Sequence, residues 1–182
     1  MAESWRLADV PTPTEPPVIS EELTQQCVDA LSGNINAVFL PWVTDRVQLE
    51  WLESKDDRLG MTRFDEGSNE LIRRRRLRLD PGRITIGLHP VLFQDSALMK
   101  HTYVHEFLHA AGLTLHSPEH DTLTSSIAPA PSLDQSEVLR NMRQEVLKDL
   151  PIQEWTCTSC GFHWKRTTVR TPKRCIKCAR PL

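Results

Sequence analysis

Long apolar runs are missing from this chain. No stretch approaches the ~20 residues that a membrane-spanning helix needs. The first 17 residues also lack the basic start and apolar centre of a secretory signal, so a cytoplasmic protein without membrane contact is expected. Internal repeats are absent. Cysteine is almost absent before residue 157: only Cys27 lies there, and Cys157, Cys160, Cys175 and Cys178 crowd the C-terminal end. A disulfide scaffold spreads its cysteines along the whole chain, so that class is excluded. Cys27 falls in an amphipathic pattern and reads as a small core residue. What remains is ordinary globular composition, 39% hydrophobic and 25% charged, in 182 residues. That length suits one compact domain with a small appendage, acting as a monomer.

Charge is unevenly distributed. Residues 151–182 hold seven Lys/Arg against Glu154 alone, a net +6, which leaves −8 on the other 150 residues. A basic tail on an acidic body points to a polyanionic partner for the tail.

The element pattern is α+β. Residues 1–18, with Pro11, Pro13, Pro16 and Pro17, read as a flexible or extended lead-in. Ser20 can cap a helix whose apolar positions are Leu23, Cys27, Ala30 and Leu31. Gly33-Asn34 ends or kinks it, and a helical or irregular stretch follows over residues 35–42. Val47, Leu49 and Trp51 alternate as a half-buried strand does. Residues 59–64, 70–79 and 84–88 are three more strand candidates, with turns at residues 65–69 and at Asp80-Pro81-Gly82. Asp95 or Ser96 opens a helix that Gly112 should close. Residues 116–131 read as loop, and Ser132 with Gln135 forms a capping box for a last helix over 133–149.

Within the helix that Gly112 closes lies His105-Glu106-Phe107-Leu108-His109. Residues i and i+4 share a helix face, so both imidazoles can bind one ion. Glu106 then points beside the metal, where a carboxylate can take a proton from water. Two neutral His ligands, a Lewis-acidic ion and a general base are the parts of a zinc peptidase. The bland alternative is an amphipathic helix with two surface histidines. It leaves unexplained why Val104, Phe107, Leu108 and Ala111 should surround a polar trio that is costly to bury without partners.

A catalytic zinc takes three protein ligands and keeps one open position. Downstream donors are His116, Glu119, His120 and Asp121. A metzincin pattern would set the third ligand at Leu115, one residue before His116, and would need a Met-turn. The only later methionine is Met142, in the last helix. His101 and His89 read as supporting or structural residues.

The stretch from Ile84 onward resembles the SprT-like (Spartan-type) zinc peptidases. The matching segments are Ile84-Thr85-Ile86-Gly87-Leu88-His89-Pro90-Val91-Leu92, then His105 to His109 with Ala110-Ala111, then His116-Ser117-Pro118-Glu119-His120. In the last of these, Ser stands for Gly and His for an aromatic residue. The resemblance implies a zincin-like domain over residues 19–150, with His116 as third ligand and Glu106 as catalytic base. The gap from His109 to His116 is short for this family. His120 followed by Asp121 also matches the related WLM pattern, so His120 stays open as the third ligand. Substrates on or crosslinked to DNA are implied by the resemblance alone.

Cys157-x-x-Cys160 and Cys175-x-x-Cys178, fourteen residues apart, form a four-thiolate zinc-ribbon pattern over residues 151–182. Gly161 relaxes the first turn. Such a site is closed, hence structural, and its ion supplies the module's stability. Two zinc ions are therefore expected, one catalytic and one structural. Aromatic and basic residues alternate between the pairs, and Lys165, Arg166, Arg170, Lys173 and Arg174 are the candidate nucleic-acid contacts. The run Arg73–Arg76, with Arg78 and Arg83, either faces nucleic acid at a cleft rim or, more simply, is a charged edge strand. A metzincin- or WLM-like peptidase with no nucleic-acid role, and a non-catalytic zinc-ribbon adaptor, are the competing readings.

Overall fold

The computed structural model describes residues 6–182. Residues 1–5 of the expected lead-in lie outside the described residues. The chain divides into two compact units, Leu7–Val138 and residues 139–182. The expected boundary, at 150/151, falls a little later than this division.

The first unit is built around one buried strand. β1 (Val47–Trp51), β2 (Gly60–Phe64) and β3 (Ile84–Leu88) form a sheet in the order β1-β3-β2. β1 runs parallel to β3 and β2 antiparallel, so Ile86 sits between Leu49 and Thr62. All five β3 residues are buried, which is why Ile84, Ile86 and Leu88 are among the apolar centre of the unit. A Cβ on Gly87 would come within 2.3 Å of Leu52 Cδ2, so the close approach there requires glycine.

Helices cover this sheet. α1 (Glu21–Leu31) is capped by Ser20 Oγ, which accepts from the Leu23 amide at 3.3 Å, and buries Leu23, Cys27 and Leu31. Burial pushes the Cys27 thiol up to about 12, as expected of a core cysteine. α2 (Leu40–Arg46) begins later than the 35–42 stretch suggests, with Pro41 in its first turn. α4 (Ser96–Ala111) is capped by Asp95, whose carboxylate accepts from the Leu98 amide at 3.0 Å. It ends at Gly112 with φ 118°, in the left-handed conformation that glycine supplies.

Three expectations need correction. Residues 70–79 form no strand: α3 spans Ser68–Leu77. The three-stranded sheet is complete with β1, β3 and β2 and takes no strand from this segment. Arg74 instead bonds Glu70 one turn back at 2.9 Å and Glu66 at 3.0 Å, and Arg78 closes the helix at φ 50°. Residues 116–131 are not all loop, because α5 spans Pro118–Ile127. Its start signal was present as an N-cap Ser117, Pro118 at the first position, and Glu119 and Asp121 in the first turn. The last helix, α6 (Glu137–Lys148), starts later than 133. The Ser132–Gln135 contact forms, but in the turn before the helix.

The N-terminal segment forms a single 3-10 turn over Leu7–Asp9 and is held in place. Val10 is buried and its carbonyl accepts from Ser54 Oγ at 2.5 Å, while Trp51 Nε1 donates to the Glu15 carbonyl at 2.6 Å.

The second unit contains all of α6 but its first two residues, and a hairpin of β4 (Glu154–Thr156) and β5 (His163–Lys165). Trp155 faces Trp164 across the strands. Gln153 Nε2 donates to the Leu147 carbonyl at 3.0 Å and the Lys148 carbonyl at 3.2 Å, satisfying orphan acceptors at the helix end. Arg143 donates to the Thr167 carbonyl. These bonds tie α6 to the hairpin and explain why the division falls inside the helix. Among the described residues no helix is long and apolar enough to cross a membrane.

Candidate metal centres

α4 sets His105 and His109 one turn apart, and the short connector after it carries His116 back over them. The three Nε2 atoms converge: His105 to His109 is 3.2 Å, His105 to His116 is 3.0 Å and His109 to His116 is 3.1 Å. Metal–nitrogen bonds of about 2.0–2.1 Å at tetrahedral angles would set nitrogens about 3.3–3.4 Å apart. The observed triangle fits that spacing. His109 Nδ1 donates to the Leu113 carbonyl at 2.7 Å, which fixes the proton there and leaves Nε2 as a lone pair. Ring nitrogens this close either share a proton or hold a cation between them.

His120 is arranged differently. It is fully buried, its ring packs 4.5 Å from that of His105 and 4.4 Å from that of His109, and Nε2 donates to the His105 carbonyl at 3.2 Å. Its Nδ1 makes no hydrogen bond. Ring nitrogens of His105, His109 and His120 lie within 4.8 Å of one another, and this group could hold a metal ion. The His116 triangle is the tighter one, and its atoms are free of backbone partners. Burial pushes the His120 and His105 pKa values down, that of His105 to about 4 with the neighbouring histidines adding to the effect, so both are neutral at pH 7 as ligands must be.

This arrangement predicts that His116→Ala lowers metal affinity at the His site at least tenfold more than His120→Ala. A metal titration of both variants checks the ranking, and the reverse order would move the third ligand to His120.

The Glu106 carboxylate is held against β2. Thr62 Oγ1 lies 2.8 Å from Glu106 Oε2 and 2.8 Å from its backbone carbonyl, and its single proton serves one of them at a time. Glu106 is 7% exposed. Burial raises its pKa, opposed by the Thr62 bond and by His109 and His116. A Cβ on Gly60 would lie 2.8 Å from Glu106 Oε1 and 2.6 Å from Thr102 Cγ2, so Gly60 makes the room in which the carboxylate sits. Gly60 and Thr62 were not anticipated from sequence. The one available signal was a glycine inside a strand pattern, which often marks a close approach. His89 is structural, as expected: buried, it accepts from the Val91 amide at 3.1 Å and bonds the Ser54 carbonyl at 3.1 Å. His101 bonds the Ala128 carbonyl through Nδ1 at 2.7 Å.

The four cysteines of the second unit form the other centre. Cys157 Sγ lies 3.6 Å from Cys178 Sγ, and Cys160 Sγ 3.7 Å from Cys175 Sγ. A disulfide would need about 2.05 Å. A tetrahedral ion with metal–sulfur bonds of about 2.3 Å needs about 3.8 Å, which fits. Each pair sits in a tight knuckle. The Gly161 amide donates to the Cys157 carbonyl at 2.8 Å, and the Ala179 amide to the Cys175 carbonyl at 3.0 Å. Gly161 and Ala179, each four residues after its cysteine, have φ 68° and 58°. Burial opposes ionisation of Cys175, but the Cys178 and Lys177 amides donate to its sulfur and hold its pKa down. This cluster can hold a metal ion.

The basic residues of the second unit divide into two kinds. Arg166 is used internally: it bonds the Thr168 carbonyl at 2.9 Å and the Ile152 carbonyl at 3.2 Å and lies over the Trp155 ring. Arg174 bonds the Ala179 carbonyl at 3.0 Å. Lys165, Arg170 and Lys173 are exposed. Phe162 and Trp164 stack 5.9 Å apart, with Lys177 over Phe162.

No protein-family model matches the chain, and neither a curated protein nor a solved structure does.

Proposed function

We propose that the chain is a zinc-dependent endopeptidase of SprT-like type, with a zincin-like first unit and a structural zinc ribbon. The observation that carries this reading is a triangle of three imidazole nitrogens beside a buried carboxylate from the same helix. His105, His109 and His116 hold the ion. Zinc there supplies Lewis acidity, which makes water a nucleophile at neutral pH. Glu106 accepts the proton of the attacking water and returns it to the leaving amine. Thr62 steadies Glu106 and leaves one carboxylate oxygen free of that bond. The Leu113 carbonyl orients His109, and the ring of His120 backs His105 and His109. The thiolate centre organises the ribbon and takes no part in hydrolysis.

Lys165, Arg170 and Lys173 give the ribbon a sequence-independent attraction to phosphate, so proteins on DNA are the proposed substrate class. The full chain should carry two zinc ions and cut an unstructured protein, and removal of the ions should abolish the cutting. DNA should stimulate hydrolysis at low salt and lose that effect as salt rises, because phosphate contacts release counterions. The checks are elemental analysis and a hydrolysis assay with and without DNA at two salt concentrations. A two-zinc chain that cuts no protein substrate under any of these conditions would refute the peptidase reading. Hydrolysis indifferent to DNA would refute the DNA-associated substrate class alone.

A further inference from the structure

The run Arg73–Arg76 has no role in the reading above, yet its members are not equivalent. Arg73 and Arg74 pair with Glu70, and Arg76 is exposed. Arg75, half-buried, instead reaches across to the segment that follows α4. Its Nη1 donates to the Gly112 carbonyl and lies 3.0 Å from Thr114 Oγ1.

That segment carries much of the geometry of the His triangle. Between the two Arg75 contacts lies Leu113, whose carbonyl accepts from His109 Nδ1 at 2.7 Å. Two residues beyond Thr114 comes His116. No regular structure spans the connector, and Thr114, Leu115 and His116 are exposed. Its far end is held separately, because Glu119 accepts from Asn34 Nδ2 at 2.9 Å and Asn36 Nδ2 at 3.4 Å. The near end also leans on residues 36–38, where a Cβ on Gly112 would lie 2.9 Å from the Val38 amide nitrogen.

We propose that Arg75 is a positioning residue for the His centre: it clamps residues 112–114 and so fixes both the orientation of His109 and the approach of His116. This rests on the reading of His105, His109 and His116 as one metal site. The Leu113 amide already bonds the Leu108 carbonyl at 3.0 Å, but residues 114–116 are exposed, and the freedom they keep must be lost when His116 closes on an ion. A guanidinium that grips a carbonyl and a hydroxyl removes it beforehand. Lysine has a charge but no fork, so it can restore only part of the effect. Supporting groups of this kind are typically worth 10–100-fold in metal affinity.

The test uses the full chain with its thiolate centre loaded with zinc first, then titrated with Co²⁺, whose visible spectrum reports coordination at the His site. Arg75→Ala should raise the Co²⁺ dissociation constant at least about tenfold and shift the spectrum toward that of His116→Ala. Arg75→Lys should fall between Arg75→Ala and the parent. Thr114→Val, which removes one hydroxyl and little else, should weaken binding in the same direction by a smaller factor. Arg76→Ala should match the parent, separating the clamp from loss of charge. If His116→Ala weakens binding while Arg75→Ala and Thr114→Val both stay within twofold of the parent, the clamp is refuted and the site stands. If His116→Ala leaves affinity and spectrum unchanged, the site reading fails and the clamp falls with it. Equal weakening by Arg75→Ala and Arg76→Ala would make the effect one of net charge and would also overturn the proposal.

Discussion

Glu106→Gln is expected to abolish peptide hydrolysis while the zinc content stays at two ions per chain. Glutamine has nearly the volume of glutamate, so it fits the space that Gly60 leaves and can still accept from Thr62 Oγ1. It cannot accept the water proton. General bases contribute about 10²–10⁴-fold, and a loss of that size in kcat is expected. KM should change little, because the carboxylate acts on water and not on the peptide. The measurements are kcat and KM on a protein substrate, with zinc counted on the same preparation. A variant that keeps its zinc and cuts within tenfold of the parent rate would remove Glu106 from the base role.

Cys175→Ser should unfold the ribbon and leave the His centre intact. The hairpin has two three-residue strands and a few half-buried aromatic rings, too little apolar area to fold on burial alone. Four thiolates around zinc are worth about 10–16 kcal/mol in comparable small modules, far more than one hairpin. Cys175 is one of two buried members of the cluster, with Cys157, so its loss opens the buried side of the thiolate set. One zinc per chain should disappear, and proteases should cut after α6. For the parent, mild chelation should strip the His centre before the thiolate centre, because three neutral nitrogens hold zinc less tightly than four thiolates. Zinc analysis after stepwise chelation, alongside limited proteolysis, checks both statements. A Cys175→Ser chain that keeps two ions and resists proteolysis would contradict the structural role.

Local patterns carried the elements in which one signal dominates. β1, β2 and β3 were legible from alternation and apolar runs, and α4 from its cap, its apolar residues and Gly112. The run 70–79 misled because arginines interleaved with Leu71, Ile72, Leu77 and Leu79 suit a charged edge strand as well as a helix. The pairing of Arg74 with Glu66 and Glu70 decides for the helix only when the whole sheet is seen. At α5 the Ser117 cap lies in a polar stretch with no apolar periodicity to extend it; Glu119 contacts to Asn34 and Asn36, more than 80 residues away, help hold that helix start.

The sequence by itself determined both candidate metal-binding clusters in outline. The i, i+4 spacing of His105 and His109 and the paired C-x-x-C turns act over distances that local backbone geometry sets. Tertiary structure decided the rest, because it depends on contacts between distant segments. It brought the His116 Nε2 within 3.1 Å of His109 and turned His120 onto the His105 carbonyl. It also set Gly60 and Thr62 against Glu106, and Arg75 against Gly112 and Thr114, which are separated by 37 or more residues in sequence. No periodicity encodes such pairs; they follow from which faces the sheet and helices must bury together.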